Sequence, residues 1–161
     1  MMDRWMEKAK EVKILFSGFF AAATAVLGWF GWLVVIYAAS MGIDYLTGSV
    51  LAAKNGDWKS RKAREGLWHK MGSILAVVVA ALADLLLRVV IGNLPITLPF
   101  TYTVFLCPVV LVWYTLTELG SIVENVGGMG APVPTFLKNI IATLHSSVED
   151  AGDALTKEKK E

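Results

Sequence analysis

Two long stretches of this 161-residue sequence contain no charged residue. The first runs from Ile14 to Ile43 and the second from Val89 to Thr117. Each exceeds the roughly 20 apolar residues that a helix needs to cross a bilayer. Over the whole chain 55% of the residues are hydrophobic, 18% are charged and the mean hydropathy is +0.56. These values disfavour a water-soluble domain and predict a polytopic membrane protein.

The residue types that carry catalysis or bind metals are also scarce. The single cysteine, Cys107, lies in an apolar segment and cannot form an intrachain disulfide. The two histidines, His69 and His145, are far apart and have no carboxylate or cysteine partner at a metal-ligand spacing. There is no glycine-rich phosphate loop. The sequence therefore predicts no enzyme, no metal and no cofactor, and a net charge of +1 implies no nucleic-acid partner.

An all-α fold with four transmembrane helices is predicted. The apolar run from Ile14 to Ala53 would measure about 60 Å as one helix, twice the thickness of the hydrocarbon layer. We therefore expect two crossings with a reversal at Gly28–Trp32, where two glycines permit a turn. The alternative is one long tilted span that ends before Met41. The four predicted spans cover about 12–28, 31–53, 67–92 and 100–122. Pro108 is expected to kink the last of them.

A shorter amphipathic helix is predicted after the spans, over residues 134–148, with Pro134 at its start. It completes a single membrane domain, 1–148, and a charged tail follows at 149–161. The residues that form its apolar stripe are Phe136, Leu137, Ile140, Ile141, Leu144 and Val148. We expect this helix to lie on the membrane surface or to pack between subunits.

The loop cations all fall on one side of the four-span arrangement. The N-terminus, the 54–67 loop and the C-terminus share that side, and the loops near 29–31 and 92–99 contain no lysine or arginine. By the positive-inside rule both termini are then cytoplasmic, whereas three spans would place the N-terminal lysines outside. The basic loop is expected to set topology and contact lipid, or to dock a partner. Its cations are Lys54, Lys59, Arg61, Lys62, Arg64 and Lys70.

Four ionisable residues lie inside the predicted spans: Asp44, Asp84, Arg88 and Glu118. Each would cost roughly 2.5 to 3.5 kcal/mol at the centre of a lipid-exposed helix, so they must face one another, a neighbouring subunit or water. Two interpretations remain open. Arg88 can neutralise Asp84 within one subunit, since the two are four residues apart with the acid first. Alternatively, Asp44 and Glu118 face subunit contacts or a hydrated lumen, and a proton or ion relay is a third use.

Small residues accompany these charges. Thr47 and Gly48 lie one helical turn from Asp44, and Gly48 would allow close packing on the same face. In the third span, small residues recur every four positions and lead to the acid at 84. They are Gly72, Ala76 and Ala80. Such a row lets another helix approach closely.

Several short motifs occur in a characteristic order between about residues 40 and 145. The matching positions are Asp44, Thr47, Gly48, Ala52, Lys54-Asn55-Gly56, Ser60, Gly66, Lys70, Asp84, Glu118, Gly130–Pro134, Leu137, Lys138 and Ile141. In this order and spacing the sequence resembles the holins of phage lysis and clostridial toxin secretion. The resemblance implies a homo-oligomer in the bacterial cytoplasmic membrane that opens pores and releases an endolysin or a large protein toxin. Its implied partners are membrane lipids, further copies of the chain and an antiholin.

Two other functions fit the same residues. A small ion or solute channel, or a transporter subunit, would use Asp44 and Glu118 to bind cations and would conduct without lethal lesions. An antiholin or scaffold would assemble without permeabilising the membrane. Expression in cells separates the three, because only a holin lets a large cytoplasmic enzyme escape.

Overall fold

The computed structural model describes residues 2–56, 60–95 and 104–157, and over these ranges it is helical with no strand. The four helices are α1, Met2–Lys54; α2, Ser60–Asn93; α3, Leu106–Gly128; and α4, Thr135–Lys157. The all-α prediction is confirmed. The chain forms two compact units, Met1–Val35 and Ile36–Glu161, and the second contains the end of α1 and all of α2, α3 and α4.

Three stretches of helix in the described chain are long and apolar enough to cross a membrane. They are Gly28–Lys54, Gly66–Asn93 and Leu106–Gly128, with 27, 28 and 23 residues. Large apolar side chains cover the outside of the second stretch, and the most exposed are Trp68, Leu75, Val79, Leu82 and Leu86, each more than half accessible. Because water-soluble proteins rarely expose continuous apolar surface on this scale, the fold is that of a helical membrane protein.

The first unit contains a break in the helix within the segment predicted for a reversal. Gly28 has φ 60° and ψ −167°, outside the helical region, and a residue with a Cβ rarely adopts this conformation. The rings of Trp29 and Phe30 meet edge to face directly after it, with centroids 6.2 Å apart. The helix is thus broken at Gly28, within the predicted segment, and the reversal itself stays a prediction. Most side chains of the crossing predicted at 12–28 fall outside the described set, so that crossing and the four-span count stay predictions.

A tight turn ends α1. The N–H of Asn55 bonds to the carbonyl of Leu51 at 3.0 Å, and Gly56 follows with φ 66°. Because α2 already begins at Ser60, the connection is shorter than the basic loop predicted over 54–67. The lysines, arginines and alanine of this segment are good helix formers, and their propensity extends α2 toward the turn.

Pro108 lies at the beginning of α3. It is the third residue of the helix, in the first turn, where backbone N–H groups have no acceptor within the helix and a proline removes no bond. The predicted kink near the middle of the fourth span is therefore wrong. The prediction fails because α3 begins at Leu106, later than the predicted start near 100. The proline therefore lies in the first turn of the helix and not near its middle.

A buried carboxylate from α2 caps this end of α3. Asp84 is 2% exposed, and its Oδ1 accepts the backbone N–H groups of Phe105 at 3.1 Å and Leu106 at 2.9 Å. Its Oδ2 accepts the N–H of Cys107 at 2.8 Å. The carboxylate thus satisfies N-terminal donors of α3 and lies at the positive end of the helix dipole. This contact fixes the start of α3 against α2.

The other end of α3 approaches α1. A Cβ added to Gly128 would lie 3.0 Å from a methyl carbon of Leu51, closer than side chains normally pack, so glycine permits this contact. The ammonium group of Lys54 donates to the carbonyl of Met129, directly after the helix end. A cation is favourable there because the last carbonyls of a helix carry partial negative charge.

The last helix runs back along α3. After Gly130, with φ 93°, the chain turns and α4 begins directly after Pro134, as predicted. The contacts proceed in antiparallel order, since a Cβ on Gly120 would meet Ile141 at 4.0 Å and Thr117 hydrogen-bonds to His145 at 3.2 Å. The helix continues to Lys157, through most of the segment predicted as a charged tail.

Replacing Asp84 by leucine is expected to destabilise the protein by about 3 kcal/mol or more, because three backbone N–H groups lose their acceptor and each buried, unpaired donor costs about 1–3 kcal/mol. Asp84→Asn retains one acceptor oxygen and should lose clearly less. Unfolding in detergent, followed by circular dichroism, measures both. Leu86→Ala, at an exposed position of the same helix, is the matched control. Equal stability of Asp84→Leu and the control would contradict the capping role.

Candidate functional site

Three helices meet at an ion-pair network. The ammonium group of Lys70 in α2 donates to Oδ2 of Asp44 in α1 at 2.9 Å and to Oε2 of Glu118 in α3. The three side chains are only 14%, 18% and 11% exposed. One cation thus bridges two carboxylates from different helices, and all three residues belong to stretches able to span a membrane.

An amide extends the network at its α3 side. Nδ2 of Asn125 donates to Oδ1 of Asp44 at 3.0 Å and to the hydroxyl of Thr47 at 3.2 Å. α3 packs directly over Gly48, since a Cβ added there would lie 3.5 Å from the same amide nitrogen, in ordinary van der Waals contact. The predicted group Asp44, Thr47 and Gly48 therefore forms one surface, and α3 covers it.

Hydroxyl groups continue the polar contact on the other side of Lys70. The hydroxyl of Tyr37 donates to Oγ of Ser73 at 2.8 Å, and Ser73 donates to the carbonyl of Lys70 at 2.8 Å. Ser40, 3% exposed, bonds back to the carbonyl of Tyr37. The ring of Tyr37 also lies 6.4 Å from that of Tyr114. Polar groups therefore follow the seam between α1 and α2 for more than two helical turns.

The spacing of these residues explains why the helices meet here. On α1 the polar positions recur every three or four residues, which places them on one face: Tyr37, Ser40, Asp44 and Thr47. On α3 Glu118 and Asn125 are seven residues apart, and on α2 Lys70 and Ser73 are three apart. Each helix thus presents one narrow polar stripe to the others.

Electrostatics make this network a strong constraint. Charges are costly in hydrocarbon, and breaking a buried pair by removing one partner leaves an uncompensated charge. In the described part of the chain every buried side-chain nitrogen and oxygen has a hydrogen-bond partner. With two carboxylates and one ammonium, the charged groups carry a formal excess of one negative charge, so any further partner they take must be a donor or a cation.

The remaining predicted residues lie elsewhere. Asp84 is 14 residues after Lys70, about 21 Å along the axis of α2, and caps α3 there. Arg88 is exposed one turn further on, and its pairing with Asp84 stays a prediction. In the row of small residues Ala80 is buried and Ala76 half-buried. Gly72 is exposed, and no atom lies within 4 Å of a Cβ added to it.

Two of the six cations assigned to the basic loop have described side chains, and these two have separate contacts. Lys54 bonds to the carbonyl of Met129 at the end of α3. Lys70 belongs to the ion-pair network and lies inside the stretch Gly66–Asn93. The prediction grouped it with the loop because it follows a run of other cations. The side chains at the other four positions, Lys59, Arg61, Lys62 and Arg64, lie outside the described residues.

Sequence reasoning missed three residues of this site, Asn125, Ser73 and Tyr37. The signal that could have found them is their spacing from the acids and Lys70. Asn125 lies seven residues after Glu118 and Tyr37 seven before Asp44, so both share a helix face with a buried charge. Within the described ranges, no group of three or more histidine, cysteine, aspartate or glutamate side chains could hold a metal ion.

The fold and the site together define a class: a helical membrane protein whose spans meet at buried ion pairs. A sequence profile of the bacteriophage holin family matches residues 21–146, which is well over half of the chain. The chain belongs to the bacteriophage holin family. The resemblance drawn from the sequence motifs is confirmed, and membrane-pore formation and cell lysis follow from the family.

Two relatives extend the comparison. An uncharacterized protein of Halalkalibacterium halodurans is 34% identical over 124 residues, which cover 77% of this chain and 86% of that protein. An uncharacterized protein of Listeria innocua is 29% identical over 130 residues, which cover 81% of this chain and 84% of the relative. No solved structure matches the chain.

Replacing Lys70 by methionine is expected to destabilise the protein by about 3–5 kcal/mol, because two buried carboxylates lose the cation between them. Neutralising all three groups in Asp44→Asn, Lys70→Met and Glu118→Gln together should recover most of that loss. Unfolding of the purified protein in mixed micelles measures both variants. Lys138→Met, which removes an exposed lysine of α4, is the matched control. A Lys70→Met protein as stable as this control would show that the network does not hold the helices together.

Proposed function

We propose that the chain oligomerises in the bacterial cytoplasmic membrane and opens lesions wide enough for a folded protein, releasing an endolysin in host cell lysis or a large protein toxin. Family membership supports membrane-pore formation in general. The observation that carries the finer proposal is the ion-pair network of Asp44, Lys70 and Glu118, because it allows two different states of the same chain.

In the first state the polar groups are satisfied inside one subunit. The ammonium of Lys70 occupies one oxygen of each acid, and Asn125 donates to the remaining oxygen of Asp44. Large apolar side chains make up much of the surface that the spans leave for lipid. A single copy in this state can insert and accumulate without conducting, since the charges of the network are paired within the chain.

In the second state the same groups turn to other copies or to water. Asp44, Thr47, Gly48 and Glu118 form the surface that neighbours or a lumen would take over, and their formal negative excess favours partners that donate hydrogen bonds. The open side of Gly72 gives a second helix room to approach α2 closely. Arg88, exposed beyond the cap at Asp84, is placed to pair with a neighbouring subunit or a lipid phosphate.

We further propose that both termini are cytoplasmic, with the cations between 59 and 64 contacting anionic lipid or an antiholin. The excess of lysine and arginine on that side supports this orientation. This orientation requires the crossing predicted at 12–28. Antibodies should therefore reach epitopes at the two ends of the chain from the same side of the membrane. Epitopes reached from opposite sides would contradict the proposal and indicate three spans.

The test of function is the escape of a large cytoplasmic enzyme from cells in which expression is induced. The proposed function predicts release of the enzyme together with loss of membrane potential. Loss of potential without enzyme release would contradict it and indicate a selective channel. Intact cells with abundant membrane-inserted oligomers would contradict it and indicate an antiholin or scaffold.

Asp44→Leu is expected to leave membrane insertion intact and to disturb assembly. Insertion survives because Lys70 and Glu118 remain as a one-to-one pair, whereas assembly loses the acid that neighbours would use. The measurements are the membrane-bound amount, the oligomer pattern after crosslinking and the time of lysis. Leu46→Ala, at an exposed apolar position of the same helix, is the control. Normal oligomers and normal lysis timing for Asp44→Leu would refute the role of this acid.

A further inference from the structure

The contacts of α4 with the middle of α3 determine how deep α4 lies in the membrane. Thr117 is the middle residue of the 23-residue α3, and its hydroxyl bonds to Nε2 of His145 at 3.2 Å. The rings of Trp113 and His145 are also in contact, with centroids 4.7 Å apart. α3 is long and apolar enough to cross the membrane, and the partner of its midpoint lies at the same depth as that midpoint. A crossing by α3 would therefore place the middle of α4 within the bilayer.

The surface of α4 divides into two unlike sides. At about 100° per residue its large apolar side chains fall on one side, and they are exposed: Phe136, Leu137, Ile140 and Leu144. The opposite side is polar and also exposed, with Lys138, Asn139, Ser146, Glu149 and Asp153. The contact with α3 through Ile141 and His145 lies between the two sides. One side of the pair is thus suited to lipid and the other is not.

The polar side of α4 continues onto α3. A groove of about 550 Å³ runs between the two helices. Its α3 lining includes three polar residues, Thr117, Ser121 and Glu124, which recur at three and four residues and so share one face. Leu116, Gly120 and Val123 line the groove beside them. This face differs from the one that carries Glu118 and Asn125 to the ion-pair network. The hairpin of α3 and α4 therefore presents a polar wall that the rest of the site does not use.

We propose that this wall, the polar side of the α3–α4 hairpin, faces water inside the opening that the assembled protein forms. The inference deepens the proposed function and rests on it. Charges such as Lys138 and Glu149 are costly in hydrocarbon, so a position along a membrane span requires water on their side. The apolar side of α4 meets lipid or the apolar surface of the spans at the same depth. An amphipathic helix on the membrane surface would need no contact with the midpoint of α3.

The test measures depth and water access at neighbouring positions on the two sides. The full chain, with Cys107→Ser to remove its one cysteine, carries a single new cysteine in either Ser146→Cys or Leu144→Cys. Each is labelled with an environment-sensitive fluorophore and reconstituted in vesicles of phosphatidylethanolamine and phosphatidylglycerol. Iodide probes water access, and lipids with a nitroxide at mid-chain or at the headgroup probe depth.

The expected result is a clear difference between the two positions. Iodide should quench the label at 146 several-fold more strongly than the label at 144. At 144 the mid-chain nitroxide should quench more strongly than the headgroup nitroxide. Strongest quenching by the headgroup nitroxide at both positions would place α4 on the membrane surface and overturn the inference. Equal quenching by iodide at the two positions, with no quenching by either nitroxide lipid, would place α4 in bulk water and overturn the inference. A label at 146 that iodide does not quench would overturn it as well.

Two additions keep the result decisive. Asn139→Cys and Ile140→Cys form a second pair on the same two sides, for use where a variant does not elute from gel filtration as the parent does. Release of a trapped dextran is followed in the same vesicles. Leaky vesicles without the quenching pattern overturn this inference alone, whereas the quenching pattern in vesicles that retain dextran overturns the proposed release function.

Discussion

One ammonium group shared by two carboxylates is the interaction on which the rest of this structure depends. Lys70 draws Asp44 and Glu118, and with them α1 and α3, onto α2. In a membrane there is no hydrophobic force that sorts helix from lipid, so packing and polar contacts decide which helix faces meet. The ion pairs, extended by Asn125 and by the hydroxyls near Tyr37, make that choice. α4 then packs along a different face of α3.

The two ends of α3 are fixed by the same principle. Asp84 caps its beginning, and Lys54 meets the carbonyl after its end. Each charge lies where the helix dipole favours its sign. Five of the ionisable residues in and beside the spans thus have partners within one chain: Asp44, Lys54, Lys70, Asp84 and Glu118. A holin with this arrangement carries its polar surface in a form that lipid tolerates, and the proposed assembly reuses that surface between subunits.

Much of the fold and part of the candidate site could be predicted from the sequence, and the features that could not be predicted have physical reasons. The costly acids, the break at Gly28 and the family motifs are local features, so sequence alone indicated them. Lys70 was grouped with the loop cations because it follows them closely in the sequence. Only the three-dimensional approach of two acids shows its use. Similarly, the pattern of α4 gives its apolar face but not its partner, and its packing along α3 depends on the turn at Gly130.

The most direct test of the central claim is a distance measurement by solid-state NMR in bilayers at high lipid-to-protein ratio. With ¹⁵N in lysine and ¹³C in aspartate and glutamate carboxyls of the same chain, dipolar dephasing should show Lys70 close to both acids, with Lys70→Met as background. The signal should persist when labelled chains are diluted into unlabelled ones and be absent when the two labels sit on different chains. Dephasing found only between chains, or none at all, would contradict an ion-pair network closed within one subunit.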